Sequence, residues 1–252
     1  MNREAFFTLH SGLPRQGPGS DASTLKAIHR LPGLPESPRV LDLGCGPGRQ
    51  TLVLARTLKA PVVAIDIHQP FLDQLTTAAA KTGLADYVKT RRISMDALDY
   101  PAESIDLIWS EGAAYIIGIS QALQLWRPLL RPGGLLAFTE ATWLTDNPPT
   151  EAAAYWEKAY PDMNTVAGIL RKAEAEGYEV IATFTLPTED WWAEYYAPLQ
   201  ERITALRSHC ADWPELAAVI AEAEEEIDMF ARFGDSYGYV FYILRKPANS
   251  TL

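Results

Sequence analysis

The sequence predicts an α/β fold built on a mostly parallel sheet with helices on both faces. Three observations carry this. Short apolar runs alternate with helix-length stretches between residues 39 and 139, and such alternation needs parallel strands joined by crossover helices. The first of these runs ends in glycines at every second position, Gly44, Gly46 and Gly48, before a helix-forming stretch. That is where a chain turns sharply after a strand and lies close to a ligand. Finally, 252 residues at 48% apolar composition supply a full core.

In chain order, residues 1–20 read as a loop. It carries Phe6, Phe7 and Leu9, which a disordered tail would lack, so the segment is expected to dock on the rest of the protein. Asp21-Ala22-Ser23-Thr24 opens a helix, with several residues suited to N-capping. Strands are expected at Arg39–Leu43, Val62–Asp66, Val88–Ser94, Ile105–Ser110 and Leu135–Thr139. Helices are expected at Thr51–Leu58, Gln69–Thr82 and Ser120–Leu130. Thr165–Glu176 follows as a helix ended by Gly177, a C′ glycine. Tyr178–Leu186 and Gly238–Arg245 close the list of strands, with 189–231 mostly helical between them. Residues 140–164 and 189–231 are expected as cap insertions on a single domain spanning 1–252, and they hold Trp143, Tyr155, Trp156, Trp191, Trp192, Tyr195 and Tyr196.

Bulk properties narrow the function. The net charge is −10, and the densest basic patch is only Lys89, Arg91 and Arg92, so nucleic acid is not expected as a partner. No apolar run is long enough to span a membrane. The N-terminus lacks the basic and apolar segments of a signal peptide, and the two cysteines form no disulfide framework, so a cytoplasmic protein is expected. No His/Cys cluster has ligand spacing, so no metal is expected. The acidic stretch Glu222, Glu224, Glu225, Glu226 and Asp228 reads as the exposed face of a late helix.

The glycine spacing excludes the dinucleotide pattern G-x-G-x-x-G, which would need glycine where Arg49 stands. Asp42-Leu43-Gly44-Cys45-Gly46-Pro47-Gly48 instead resembles motif I of the class I S-adenosylmethionine (SAM)-dependent methyltransferases. The resemblance is specific over residues 38–140 and looser beyond. It implies a Rossmann-like, seven-stranded, mostly parallel sheet with an antiparallel last strand, and SAM as cofactor. Within that resemblance Asp42 orients the loop and the cofactor's amino group, and Gly44, Cys45, Gly46 and Gly48 approach the methionine portion. Gln50 and Thr51, which open the next helix, belong to the same site. Asp66, ending the second strand, suits the two ribose hydroxyls. Ile67 and Met95 are expected beside the adenine, with Asp96 and Ala97 near its amine. Ser110 and Glu111, at the fourth strand end, face the methyl group. Arg15 and Gln16 are expected to meet the cofactor carboxylate or the acceptor.

The N-terminal segment, Ser110-Glu111-Gly112 and Tyr237-Gly238-Tyr239-Val240-Phe241-Tyr242 resemble those of an uncharacterised, type 11-like bacterial subgroup of small-molecule methyltransferases. In that subgroup residues 1–20 would form a lid. The catalytic candidates are Glu111 as base or orienter, His10 as a base brought in by the lid, and Tyr115 on the acceptor pocket. The expected reaction is in-line methyl transfer to O, N or C of a small, partly apolar metabolite, with a homodimer possible. The alternatives are a SAM-binding sensor or partner subunit without transfer activity, and a protein or nucleic-acid methyltransferase.

Overall fold

A computed structural model describes residues 2–248; Met1, at the start of the expected lid, and residues 249–252 lie outside it. Two helices, α1 (Arg3–His10) and α2 (Asp21–Ile28), precede the sheet. Its parallel part comprises β1 (Val40–Leu43), β2 (Val62–Asp66), β3 (Val88–Arg92), β4 (Ile105–Glu111) and β5 (Leu130–Trp143). The connections run through α3 (Arg49–Leu58), α4 (Gln69–Lys81) and α5 (Ile119–Trp126). After β5 come α6 (Thr150–Ala159), β6 (Asn164–Thr165), α7 (Val166–Ala175), β7 (Glu179–Thr185), α8 (Glu189–Trp191), α9 (Ala197–Leu206), α10 (Pro214–Phe233) and β8 (Tyr237–Arg245).

The strand order is β3-β2-β1-β4-β5-β8-β7, with β6 paired to β5. The order reverses between β1 and β4, where Asp42 lies opposite Trp109. A ligand crevice forms at such a reversal, beyond the carboxyl ends of the strands. All four residues of β1 are buried, because helices cover both faces. β8 is antiparallel to both neighbours, as expected.

Several boundaries differ from the sequence reading, and the partners explain why. β5 runs past Thr139 to Trp143, so 140–143 belong to the sheet and not to a cap, because β8 pairs with β5 as far as Tyr237. β3 ends at Arg92, opposite the last residue of β2, Asp66. The two residues of β6 pair with Thr142 and Trp143 and make an eighth strand. Residues 3–10 form a helix and not a loop. Asn2 caps it, its side chain accepting from the Ala5 amide at 3.1 Å, and Ala5 and Leu9 bury their apolar stripe.

That stripe packs into a second apolar cluster made of the late helices, with Trp156, Trp191, Tyr196, Phe230 and Tyr237. Trp191 stacks on Phe230 at 4.2 Å between ring centroids. A single π-helical turn, Trp192–Tyr196, joins α8 to α9. Among the described residues, no helix is long and apolar enough to cross a membrane.

Candidate functional site

The glycine loop is fixed from below. Gly44 has φ +69°, and a Cβ there would lie 2.4 Å from the Ala113 Cβ; at Gly48, φ +80°, it would lie 2.4 Å from Leu75 Cδ1. The amides of Gly44 and Cys45 both donate to the Ile65 carbonyl at 2.9 Å. Asp42 is 0% exposed. Its Oδ2 accepts from Thr51 Oγ1 at 2.5 Å, and its Oδ1 from Gln50 Nε2 at 3.4 Å. Gln50 Nε2 also donates to the Cys45 carbonyl at 3.0 Å. Burial pushes the Asp42 carboxyl up to about 7, partly offset by the Thr51 hydrogen bond. Asp42 and Thr51 therefore hold the loop and stand off the cavity wall. So does Ser110, fully buried and donating to the Leu43 carbonyl at 2.9 Å, and so does Gly48, packed on Leu75.

Above the loop lies a cavity of about 320 Å³. It gathers, of the expected residues, Arg15, Gln16, Gly44, Cys45, Gly46, Gln50, Asp66, Ile67, Met95, Glu111 and Tyr115. Asp66 Oδ2 accepts from the Gly46 amide at 2.9 Å and Oδ1 from the His68 amide at 2.8 Å, which leaves further lone pairs on both oxygens. Burial raises its pKa. Asp96 and Ala97 are exposed and absent from the wall. β3 has already ended, and the turn closed by Ala97 N to Ser94 O carries Met95 inward and Asp96 outward. The opposite wall is Phe6 and Phe7 of α1. Phe7 stacks on His68 at 3.7 Å, a contact the sequence did not signal, since His68 carries no pattern of its own.

Glu111 is enclosed by donors. Its Oε1 accepts from Thr24 Oγ1 at 2.7 Å and Trp109 Nε1 at 2.9 Å; its Oε2 accepts from Arg15 at 2.9 Å. The side chains of this ion pair are 4% and 6% exposed. Arg15 also pairs with Asp21 at 3.3 Å, and Asp21 with Arg49 at the start of α3 at 2.7 Å. These donors tie Glu111, at the end of β4, to Thr24 of α2 and Arg15 of the N-terminal segment.

A second cavity, about 430 Å³, lies beside the first. Phe6, Gln16, Gly17, Pro18, Gly112 and Tyr115 line both. His10 lines the second alone. Its Nδ1 lies 2.9 Å from the Phe6 carbonyl, an acceptor only, so Nδ1 carries the proton and Nε2 the free lone pair. Burial lowers the His10 pKa and keeps the ring neutral near pH 7. Partial enclosure and the nearby Glu226 and Glu140 charges push the Tyr115 phenol up although the residue is 44% exposed, so it stays protonated. Four acids were missed as site neighbours. Glu140 on β5 is 2% exposed, and neither oxygen meets a donor in hydrogen-bonding geometry. Burial pushes it up to about 8, against the pull of the Tyr160 hydroxyl. Glu226, with Glu222 and Glu225, lines the second cavity, which corrects the reading of that stretch as a wholly solvated face. The signal was present: Val219, Ala223, Glu226 and Phe230 recur at helical spacing on one stripe.

Residues 40–134 match the family described as a methyltransferase domain. The chain is 26% identical over 242 residues to a 27-O-demethylrifamycin SV methyltransferase of Amycolatopsis mediterranei, covering 90% of this chain and 85% of that protein. It is 30% identical to a trans-aconitate 2-methyltransferase of Streptomyces coelicolor, over 68% of this chain and 58% of that one. Among solved structures it resembles a SAM-dependent methyltransferase from Geobacter sulfurreducens in complex with S-adenosyl-L-homocysteine. That match has 25% identity and a TM-score of 0.78, covering 96% of this chain and 98% of the other. Residues 40–134 are a methyltransferase domain of the class I, SAM-dependent type. Its cofactor is S-adenosylmethionine.

Proposed function

We propose that the protein transfers a methyl group from SAM to a small, partly apolar acceptor held in the second cavity. The observation that carries this is the common wall at Phe6, Gln16, Gly17, Pro18, Gly112 and Tyr115. Two adjoining chambers with one throat let donor and acceptor meet while protein excludes water on the remaining sides. The named activities of the rifamycin and trans-aconitate relatives, both small-molecule methylations, support an acceptor of that size.

The first cavity fits the cofactor. Asp66 retains lone pairs for a vicinal diol, Ile67 and Met95 offer apolar surface for a purine, and the Gly44–Gly46 backbone is bare enough for close approach. When bound, the sulfonium supplies an already activated methyl group. What remains for the chain is alignment and, for a protonated nucleophile, proton removal. His10 suits the second task better than Glu111: it is neutral, its tautomer is fixed by Phe6, and it borders the acceptor chamber. Residues 2–20 act as the lid, closing over both chambers and latched by Arg15 to Glu111.

The test is to incubate the protein with methyl-labelled SAM and a protein-free, nucleic-acid-free extract of small metabolites. The reading expects S-adenosylhomocysteine to form only with the extract, and label to appear in a small product. Cofactor binding without turnover would favour the sensor reading. Label transferred instead to added protein or nucleic acid would favour a macromolecular acceptor.

A further inference from the structure

The walls of the second cavity point to the charge of the acceptor. Glu222, Glu225 and Glu226 of α10 all border it, against one cation, Lys158. Glu226 Oε1 accepts from Tyr196 at 3.0 Å; among the described residues no donor meets Oε2, and no cation pairs with any of the three carboxylates. The rest of the wall is largely aromatic, including Tyr155, Trp156, Tyr160, Tyr195 and Tyr239. At the throat, Gln16 Nε2 is held by the His10 carbonyl at 3.2 Å, so Oε1 is fixed on the other side of the amide. That oxygen is buried and has no donor. Unpaired carboxylates and π-faces both favour a positive group, and the buried amide oxygen wants a hydrogen-bond donor.

We propose that the acceptor is an organic cation, an amine-bearing molecule whose ammonium group sits among Glu226, its neighbouring carboxylates and the aromatic rings, while a second, uncharged position reaches the throat. This rests on the reading of the second cavity as the acceptor chamber. Burial raises the Glu226 pKa, and a cation entering beside the carboxylate offsets that penalty by direct Coulomb attraction. An anionic acceptor meets the same carboxylates as repulsion. This separates the present chamber from any that takes a polycarboxylate such as trans-aconitate.

The experiment is calorimetric titration in two stages at pH 7 and low salt. S-adenosylhomocysteine is titrated first. The saturated protein is then titrated separately with 2-phenylethylamine, 2-phenylethanol and phenylacetate, matched in shape and differing in charge. The amine is expected to bind at least about tenfold more tightly than the alcohol, with the acid weakest. Glu226→Gln should remove most of that preference and leave S-adenosylhomocysteine affinity unchanged. Should Glu226→Gln not fold, the double change Glu222→Gln, Glu225→Gln, at exposed positions, should reduce the preference in the same direction. An amine that binds no better than the alcohol, or not at all, overturns the inference, as does a preference that survives the substitutions. Absence of S-adenosylhomocysteine binding in the first stage would overturn the methyltransferase reading itself.

Discussion

Replacing Glu111 by Gln tests whether this residue latches the N-terminal segment or takes part in the chemistry. Gln keeps an acceptor for the Thr24 and Trp109 donors and removes the charge facing Arg15. Both side chains of the pair are nearly fully buried, 4% and 6% exposed, so Arg15 would keep a buried charge with only Asp21, at 3.3 Å, beside it. Breaking a buried pair from one side costs about 3–5 kcal/mol. With the Thr24 and Trp109 hydrogen bonds retained and Asp21 compensating in part, about 3 kcal/mol is the expected loss, roughly two decades in an equilibrium constant. Residues 3–20 would bear most of it, because the pair joins that segment to the end of β4. Hydrogen exchange of their amides should therefore speed up by about 100-fold, with a weaker affinity for S-adenosylhomocysteine, whose proposed chamber the segment walls. Arg15→Met should mimic the change, and the double variant should cost much less than the sum. Unchanged exchange and unchanged affinity, together with a methyl-transfer rate lowered by about 100-fold or more, would refute the latch and restore Glu111 as a base.

Two further predictions concern stability. Gly48→Ala places a Cβ 2.4 Å from Leu75 Cδ1 in a left-handed conformation, so denaturant unfolding should show a loss of about 2–4 kcal/mol, and that loss should be smaller when the substitution is made in a Leu75→Ala background. Glu140 holds its proton to about pH 8 in the native state, against 4.5 ordinarily. Its contribution is thus fully present below about pH 4.5 and is lost as pH rises through 8, an effect of a few kcal/mol at about 1.4 kcal/mol per pH unit. Glu140→Gln should flatten the fall in unfolding free energy between pH 5 and 9, leaving the slope due to Asp42, Asp66 and Glu226, whose pKa values burial also raises. An unaltered slope would contradict the assignment.

The alternation of strands and helices and the glycine loop were legible because both follow from local rules: period, turn chemistry and spacing. The loop residues Gly44, Cys45 and Gly46, and the carboxylate Asp66, stand on one cavity because a strand end and its following turn cannot be elsewhere. What escaped was set by distant partners. β5 extends to Trp143 because β8 lies beside it. α1 was hidden by the Gly- and Pro-rich stretch that follows, although Ala5 and Leu9 carry a helical repeat whose partner surface begins some 150 residues later. Asp96 turned outward because β3 ended early, and Glu111 met its donors from Thr24 and Arg15, residues far away in the chain. Glu140 gave no sign at all, since nothing in its neighbours' identities marks a carboxyl as sealed.

The residues from Phe6 to Pro18 that belong to both chambers tie their occupancies together. A segment that is ordered by a molecule in one chamber is already ordered for the other, so whichever molecule arrives second is spared that cost. Linkage makes the benefit mutual: by whatever factor the bound nucleoside strengthens acceptor binding, the acceptor strengthens nucleoside binding by the same factor. If the two chambers take cofactor and acceptor as proposed, each ligand is the other's effector through the wall they share.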